Sequence, residues 1–387
     1  MNLAAFEALL SPLGQAALAT AAELNPSEET FLSCCARMQK QFALELSKAA
    51  IATIILRKKA RTKFSQAERM YLTREALEQA SGETISRYRA ERFTEFASVG
   101  DWCCGIGGDS IALAAHHEVV AAETEPLRIA MAGENLKAYG ANEHVRFINA
   151  DVTQMALPQL DALFFDPARR VEGRRRFSVE EYQPPLALIR DWLPHVKALG
   201  VKISPAVDMR ELARYDCEVE FISVEGELKE CVLWLGEAKT NTRRATLLPE
   251  RHTLTTAQVE SRLAAPRAYL YEPDPAVLRT GFVTTLAAQM DAYQIDRDIA
   301  YLTSDKLITT PFARAFAIEE AFPFQLKKLR ERLRALHVGR VTVKKRGSPL
   351  EPEALISQLK LSGAESRMVF LTHVEGKPFV LIGSEAR

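Results

Sequence analysis

The stretch SVGDWCCGIGGDSIALAAHHEVVAAETEP, residues 98–126, sets three glycines between two short apolar runs and ends on an acid pair. A strand that closes on Asp101 and passes through Gly105, Gly107 and Gly108 into a helix beginning near Asp109 and Ser110 must turn sharply. Bare backbone at such a turn lets a ligand lie against it, at the carboxyl edge of an open α/β sheet. This unit constrains the fold more than any other part of the chain.

What surrounds it agrees. From Phe96 to about Lys239, the short apolar runs EVVAAE, VRFIN, LDALFFD, LGVKIS, CEVEFISV and ECVLWLG alternate with helical segments such as PLRIAMAGENLKAYG. Strands alternating with crossover helices predict a mostly parallel, doubly wound sheet. The last two runs meet at Glu225-Gly226-Glu227, which predicts an antiparallel hairpin at a sheet edge. The expected core is therefore α/β, Rossmann-like and seven-stranded, of the class I methyltransferase type, over residues 95–240.

Residues 1–94 carry helix-period patterns with almost no strand signal, so a helical N-terminal domain is expected. MNLAAFEALLSPLGQAALATAAEL reads as an amphipathic helix, and its early Glu7 argues against a signal peptide. Ser81, with Glu83 close behind, marks a helix start that delivers the chain into the glycine-rich unit. Beyond Thr240 the Pro-containing connections and the runs VGRVTVKK, RMVFLTHV and KPFVLIG predict a separate α/β domain over 241–387.

Composition excludes more than it selects. Acids and bases balance at 50 each among 387 residues, so bulk charge names no partner. No run approaches the roughly 20 apolar residues of a membrane span. The six cysteines show neither C-x-x-C metal spacing nor the density of a disulfide scaffold, so no metal site and a cytoplasmic setting are expected.

The acids identify the cofactor. A dinucleotide fingerprint would need a third glycine where Ser110 stands. S-adenosylmethionine instead needs an acceptor for its ammonium and backbone N–H groups for its carboxylate, which Asp101 and the turn at Gly105 and Gly107, with Asp109 at the helix start, can supply. Glu123 can accept from ribose hydroxyls, Asp151 from the adenine amine, and the N–H of Val152 can reach the ring. Ser81 is read as a helix cap with a second chance of touching the cofactor carboxylate. Asp166 and Pro167 end the run LDALFFD, where a carboxylate and a carbonyl can hold an attacking amine in line.

The run from Asp101 to Arg170, with its cysteine-glycine turn, its Asp-Pro step and the Tyr139-Gly140 pair before the third strand, resembles the trimethylguanosine synthase family of RNA guanine-N2 methyltransferases. The whole layout is similar to bacterial methyltransferases that end in a THUMP-like domain. The resemblance implies methylation of an RNA base nitrogen, guanine N2 first, on a tRNA or rRNA. Where that family has Pro-Pro-Trp, this chain has Pro167-Ala168-Arg169, and Arg169 is expected to stack on a base or hold a phosphate. Lys202 is expected to bind substrate phosphate or to snorkel at the sheet edge. Three basic clusters, at 57–63, 169–176 and 327–346 with Lys344, Lys345 and Arg346, would form a phosphate-tracking surface if they share a face. The alternatives are a methyltransferase of protein or small molecules, and a catalytically silent RNA-binding protein that keeps the cofactor.

Overall fold

The computed structural model describes residues 1–168, 170–171, 174–175, 178–255, 259–260 and 262–386, with Arg170, Val171, Arg174 and Arg175 by backbone only. The chain divides into two compact units, Met1–Glu218 with Val232–Thr240, and Val219–Cys231 with Asn241–Arg387.

The first unit opens on helices α1 (Leu3–Leu10), α2 (Pro12–Glu23), α3 (Phe31–Met38), α4 (Leu44–Ala60), α5 (Arg74–Gln79) and α6 (Glu83–Ala90). The single N-terminal helix expected from sequence is in fact two. Ser11 is extended and caps α2, accepting from the Gly14 N–H at 3.1 Å, and Pro12 disfavours helical geometry in the residue before it. Helix α4 buries Leu46, Ala50, Ile51, Ile54 and Ile55. Among the described residues no single helix is long and apolar enough to cross a membrane.

The sheet of this unit follows. β1 (Ser98–Trp102) leads into α7 (Gly108–Leu113), β2 (Glu118–Glu123), α8 (Pro126–Tyr139), β3 (Val145–Asn149) and β4 (Ala162–Phe165). After the short antiparallel pair β5 (Arg170–Val171) and β6 (Arg174–Arg175) come α9 (Ile189–Trp192), β7 (Ala198–Ile203) and α10 (Met209–Leu212). β3, β2, β1, β4 and β7 lie side by side in that order, each neighbouring pair parallel. Such an order reverses direction at β1, and the crevice beyond the carboxyl ends of β1 and β4 is where open α/β sheets bind ligands.

Strand β9 (Glu227–Gly236) borders β7 through its second half, where Trp234 is fully buried. Gly200 of β7 makes that packing possible. A Cβ there would lie 2.7 Å from Trp234 and 3.2 Å from Phe164.

In the second unit, β8 (Glu218–Val224) and the first half of β9 form the expected hairpin, turning through Glu225 and Gly226 with φ of 52° and 81°. Its edge placement is corrected: β8 also pairs in parallel with β10 (Arg243–Leu248), and β10 pairs antiparallel with β11 (His252–Thr255). Glu220 is buried there and accepts from the Thr246 hydroxyl of β10, a cross-strand partner that no local pattern announces.

The rest of the unit contains β12 (Tyr269–Pro273), α11 (Pro275–Thr280), α12 (Val283–Gln289), β13 (Tyr293–Gln294), β14 (Leu302–Ser304) and β15 (Ala313–Pro323). It closes with α13 (Leu326–Ala335), β16 (Val338–Lys345), α14 (Pro352–Leu359), β17 (Glu365–Val374) and β18 (Lys377–Glu385). These strands form a seven-stranded sheet in the order β13-β14-β12-β15-β18-β17-β16. Leu329 and Leu333 of α13 and Leu355 and Leu359 of α14 pack with Val369, Leu371, Val380 and Ile382 of β17 and β18.

Adding a methyl group beside Trp234 overpacks a filled core, which costs about 1–3 kcal/mol. Gly200→Ala should lower unfolding stability by that order in denaturant titrations, and an unchanged midpoint would show that the β7–Trp234 contact is looser than described.

Candidate functional site

A cavity of about 710 Å³ opens beyond the carboxyl ends of β1, β2 and β4. Its floor is the turn between β1 and α7. Gly107 sits there at φ 82° and starts α7, and Gly105, at φ 57°, has nothing within 4 Å of the place a Cβ would occupy. Both conformations are open to glycine at little cost.

Asp101, the penultimate residue of β1, is completely buried. Its Oδ2 accepts from the Ser110 hydroxyl, and its Oδ1 has no partner among the described residues. Burial, with the neighbouring Asp109 adding to it, pushes the Asp101 carboxyl up to about 8. Asp109, in the first turn of α7, is paired with Arg89 of α6, whose guanidinium is itself buried and lies 4.7 Å from the centre of the Phe164 ring.

Glu123, the last residue of β2, is buried and organises the floor. It accepts from the Gly105 N–H at 3.1 Å on one oxygen and from the N–H groups of Thr124 and Glu125 on the other, at 2.9 and 3.1 Å. Asp151 is exposed and accepts from the Thr153 N–H at 2.9 Å, with Val152 buried beside it. Both line the cavity.

The wall from the N-terminal helices is Ala76, Glu78, Gln79, Ala80 and Ser81. The capping role expected of Ser81 is corrected. Gly82 holds the N-cap of α6 and, being glycine, has no side chain to cap it, while the Glu83 carboxylate accepts from the Ser65 N–H at 2.7 Å and the Tyr139 hydroxyl at 3.0 Å. Ser81 itself is buried in the cavity wall.

The remaining wall follows β4. Asp166 and buried Pro167 stand at its end, and Ala168 exchanges two backbone hydrogen bonds with Gln183, at 2.9 and 3.1 Å. That bridge carries Gln183, Pro184 and Pro185 onto the same wall. Lys202, near the end of β7, does not snorkel to solvent: it is 5% exposed and donates to Asp166 Oδ2 at 2.6 Å and to the Gln79 carbonyl at 3.3 Å. Arg169 lies outside the described residues.

Comparison with known proteins converges on this geometry. The model for RNA cap guanine-N2 methyltransferase matches residues 97–191, a THUMP domain-like model matches 313–385, and a domain family of unknown function matches 2–60. An uncharacterized S-adenosylmethionine-dependent methyltransferase of Mycobacterium tuberculosis, found in strains CDC 1551 and H37Rv, is 32% identical over 339 residues, which are 84% of this chain and 92% of that protein. The chain belongs to the S-adenosylmethionine-dependent methyltransferases. The crystal structure of a Porphyromonas gingivalis W83 protein named as a methyltransferase shares the fold, with a TM-score of 0.78 at 22% identity over 96% of this chain and 99% of that one.

The residues present in this methyltransferase fit S-adenosylmethionine. Asp101 and Gly107 lie behind the lining residues, where the Asp101 Oδ1 is a buried acceptor with no donor among the described residues, which suits an ammonium, and the open Gly105 backbone on the lining suits close approach of a carboxylate. Glu123 is committed to three backbone N–H groups, so it builds the floor as well as facing the ligand.

Several described members of the first and third basic clusters have partners within the protein. Lys59 pairs with Glu28 at 2.6 Å and Arg61 with Glu68, while Arg57 donates to the Met70 carbonyl and Lys63 to those of Leu77 and Ala80. In the second unit Lys344 and Arg346 share Glu272, and Lys345 pairs with Glu351 at 2.6 Å. Of the middle cluster, Arg169 and Arg176 and the side chains of Arg170, Arg174 and Arg175 lie outside the described residues.

Sequence reasoning missed Arg89, Gln79 and Gln183, whose importance depends on what the fold brings against them. The adjacent prolines after Gln183 were the only local signal.

Because the folded-state Asp101 value lies above the ordinary carboxylate range, its contribution to stability falls as pH rises from the unfolded value toward about 8. Asp101→Asn removes that titration. Thermal melts should show the variant gaining on the wild type between about pH 5 and pH 9, while its affinity for S-adenosylmethionine drops at least roughly tenfold. Parallel melting curves across that range would mean that Asp101 is already charged in the free protein.

Proposed function

We propose that this methyltransferase transfers a methyl group to an exocyclic amino nitrogen of an RNA base, with guanine N2 the first candidate. The observation that carries the reading is Asp166. One of its oxygens is held by Lys202, the other receives no donor from the described residues, and Asp166 lines the cavity that contains the cofactor turn. The match of residues 97–191 to the RNA cap guanine-N2 methyltransferase model, and of 313–385 to a THUMP domain-like model, supports an RNA partner.

In this reading Asp101, Gly105, Gly107, Asp109, Glu123, Asp151, Val152 and Ser81 surround the cofactor. When bound, S-adenosylmethionine supplies an electrophilic methyl group, and its sulfonium becomes a neutral thioether as the carbon–sulfur bond breaks. Asp166 Oδ1 and the Pro167 carbonyl accept the two N–H bonds of the amine, which turns its lone pair toward the methyl carbon. Once methylated the nitrogen is cationic and loses one proton to Asp166 or to water, so a base of ordinary strength suffices.

The segmentation proposed with it is a helical domain over 1–94, a catalytic core over 95–240 and an RNA-engaging domain over 241–387. Lys344, Lys345 and Arg346 would exchange Glu272 and Glu351 for phosphates, and Arg169 would engage the base or its phosphate. Such exchange makes RNA affinity fall with rising salt.

The test is to incubate the purified protein with radiolabelled S-adenosylmethionine and RNA from cells lacking it, then to digest and identify labelled nucleosides. A single N-methylated nucleoside is expected. Asp166→Ala should lose roughly a hundredfold or more in turnover with cofactor affinity within a few fold. Absence of label, with cofactor binding intact, would redirect the search to protein or small-molecule amines.

A further inference from the structure

We infer that Lys202 selects a nucleobase amine over other amines, donating a hydrogen bond to the ring nitrogen that adjoins the amine being methylated. The inference rests on the reading of Asp166 as the residue that holds that amine.

Its basis is a matched pair of unused hydrogen-bonding groups. β4 and β7 run parallel with Phe165 opposite Val201, so the next residue of each strand, Asp166 and Lys202, emerges at the same level. Both line the cavity, and Lys202 is 5% exposed. A lysine ammonium has three donors. Two are taken, by Asp166 Oδ2 at 2.6 Å and the Gln79 carbonyl at 3.3 Å, and no described residue accepts the third. Asp166 Oδ1 likewise receives no donor from the described residues.

A buried N–H without an acceptor is costly, and a ligand atom that supplies one is favoured accordingly. The ion pair therefore presents one acceptor and one donor side by side, fixed relative to each other by the bond between them.

That pattern is the complement of an amine bonded to a carbon whose other neighbour is a ring nitrogen with a free lone pair. In guanine the amine is N2 and the lone pair belongs to N3. An alkylamine, such as a lysine side chain, has no such second atom, so the same pair would select a nucleobase over the rival amine substrates. Tethering of the ammonium to the Gln79 carbonyl, at the end of α5, keeps it from following Asp166 out of register.

The experiment loads the full chain with S-adenosylhomocysteine and titrates it with guanosine 5′-monophosphate and with its 3-deaza analogue, which keeps the amine but lacks the N3 lone pair. Wild-type protein should bind the analogue about tenfold more weakly, the usual worth of one charge-assisted hydrogen bond. In Lys202→Met the guanine nucleotide should weaken by a similar factor and the difference between the two ligands should disappear, with S-adenosylhomocysteine held saturating in every titration. Lys202→Arg, which keeps the charge, should restore part of the difference.

Equal binding of the two nucleotides by the wild type, no binding of either, or a deaza penalty that persists in Lys202→Met would overturn the inference. The wild-type comparison needs no variant to fold. Labelled RNA without a deaza penalty would remove this inference alone, and a deaza penalty without labelled RNA would remove the RNA reading alone.

Discussion

A carboxylate with one oxygen bonded and the other without a partner among the described residues, sealed near the end of β1, sets the terms for the whole first unit. Asp101 could not stay buried on the strength of the single Ser110 hydroxyl unless the surrounding core made the position unavoidable. Val99 and Trp102 of the same strand, Phe164 and Phe165 of β4 and Ala121 and Ala122 of β2 are all buried around it. Their packing offsets the cost of a group that the free protein leaves unsatisfied. Strain of this kind persists where a ligand later relieves it.

The helical N-terminal segment is tied to that strand end by polar contacts as specific as those of the site. Asn135 of α8 accepts from the Tyr71 N–H at 2.7 Å and donates to the carbonyls of Tyr71 and Ile106, which joins the segment before α5 to the glycine turn. The last carbonyls of a helix have no partners within it. At the end of α5 they are met by two lysines from different places: Lys63 takes those of Leu77 and Ala80, and Lys202 takes that of Gln79. Removing either would loosen the wall formed by Glu78 to Ser81 as well as the helix end.

Much of this was legible before the structure, wherever the determinant is local. The glycine turn, the parallel strands at β1, β2, β3, β4 and β7 and the acid at the end of each cofactor-facing strand follow from period and spacing. What was not legible depends on register and on which chain segments meet. Ser81 looks like a cap, but the extended residue directly before α6 is Gly82. Lys202 looks like a surface residue because a lone lysine at a strand end usually is one, and only the β4–β7 register sets it against Asp166. A sequence does not show that Glu28, Glu68, Glu272 and Glu351 come to meet cations of the basic clusters in the free protein. The β10–β11 extension escaped notice because two short strands after a hairpin carry no signal of which edge they join.

The charge of the cavity wall bears on turnover as well as binding. Among the described residues that line it, Glu78, Asp109, Glu123, Asp151 and Asp166 outnumber Arg128 and Lys202. S-adenosylmethionine carries a sulfonium and an ammonium against one carboxylate, and methyl transfer removes the sulfonium charge. A wall with an excess of carboxylates therefore holds the methylated cofactor more tightly than the spent one, since the Coulomb energy lost on transfer is larger in a partly buried site than in water. The same excess repels phosphate. An RNA strand entering this cavity would have to present a base alone, with its backbone held by cations outside the pocket, and among the described residues the cation paired with Asp166 is the buried Lys202.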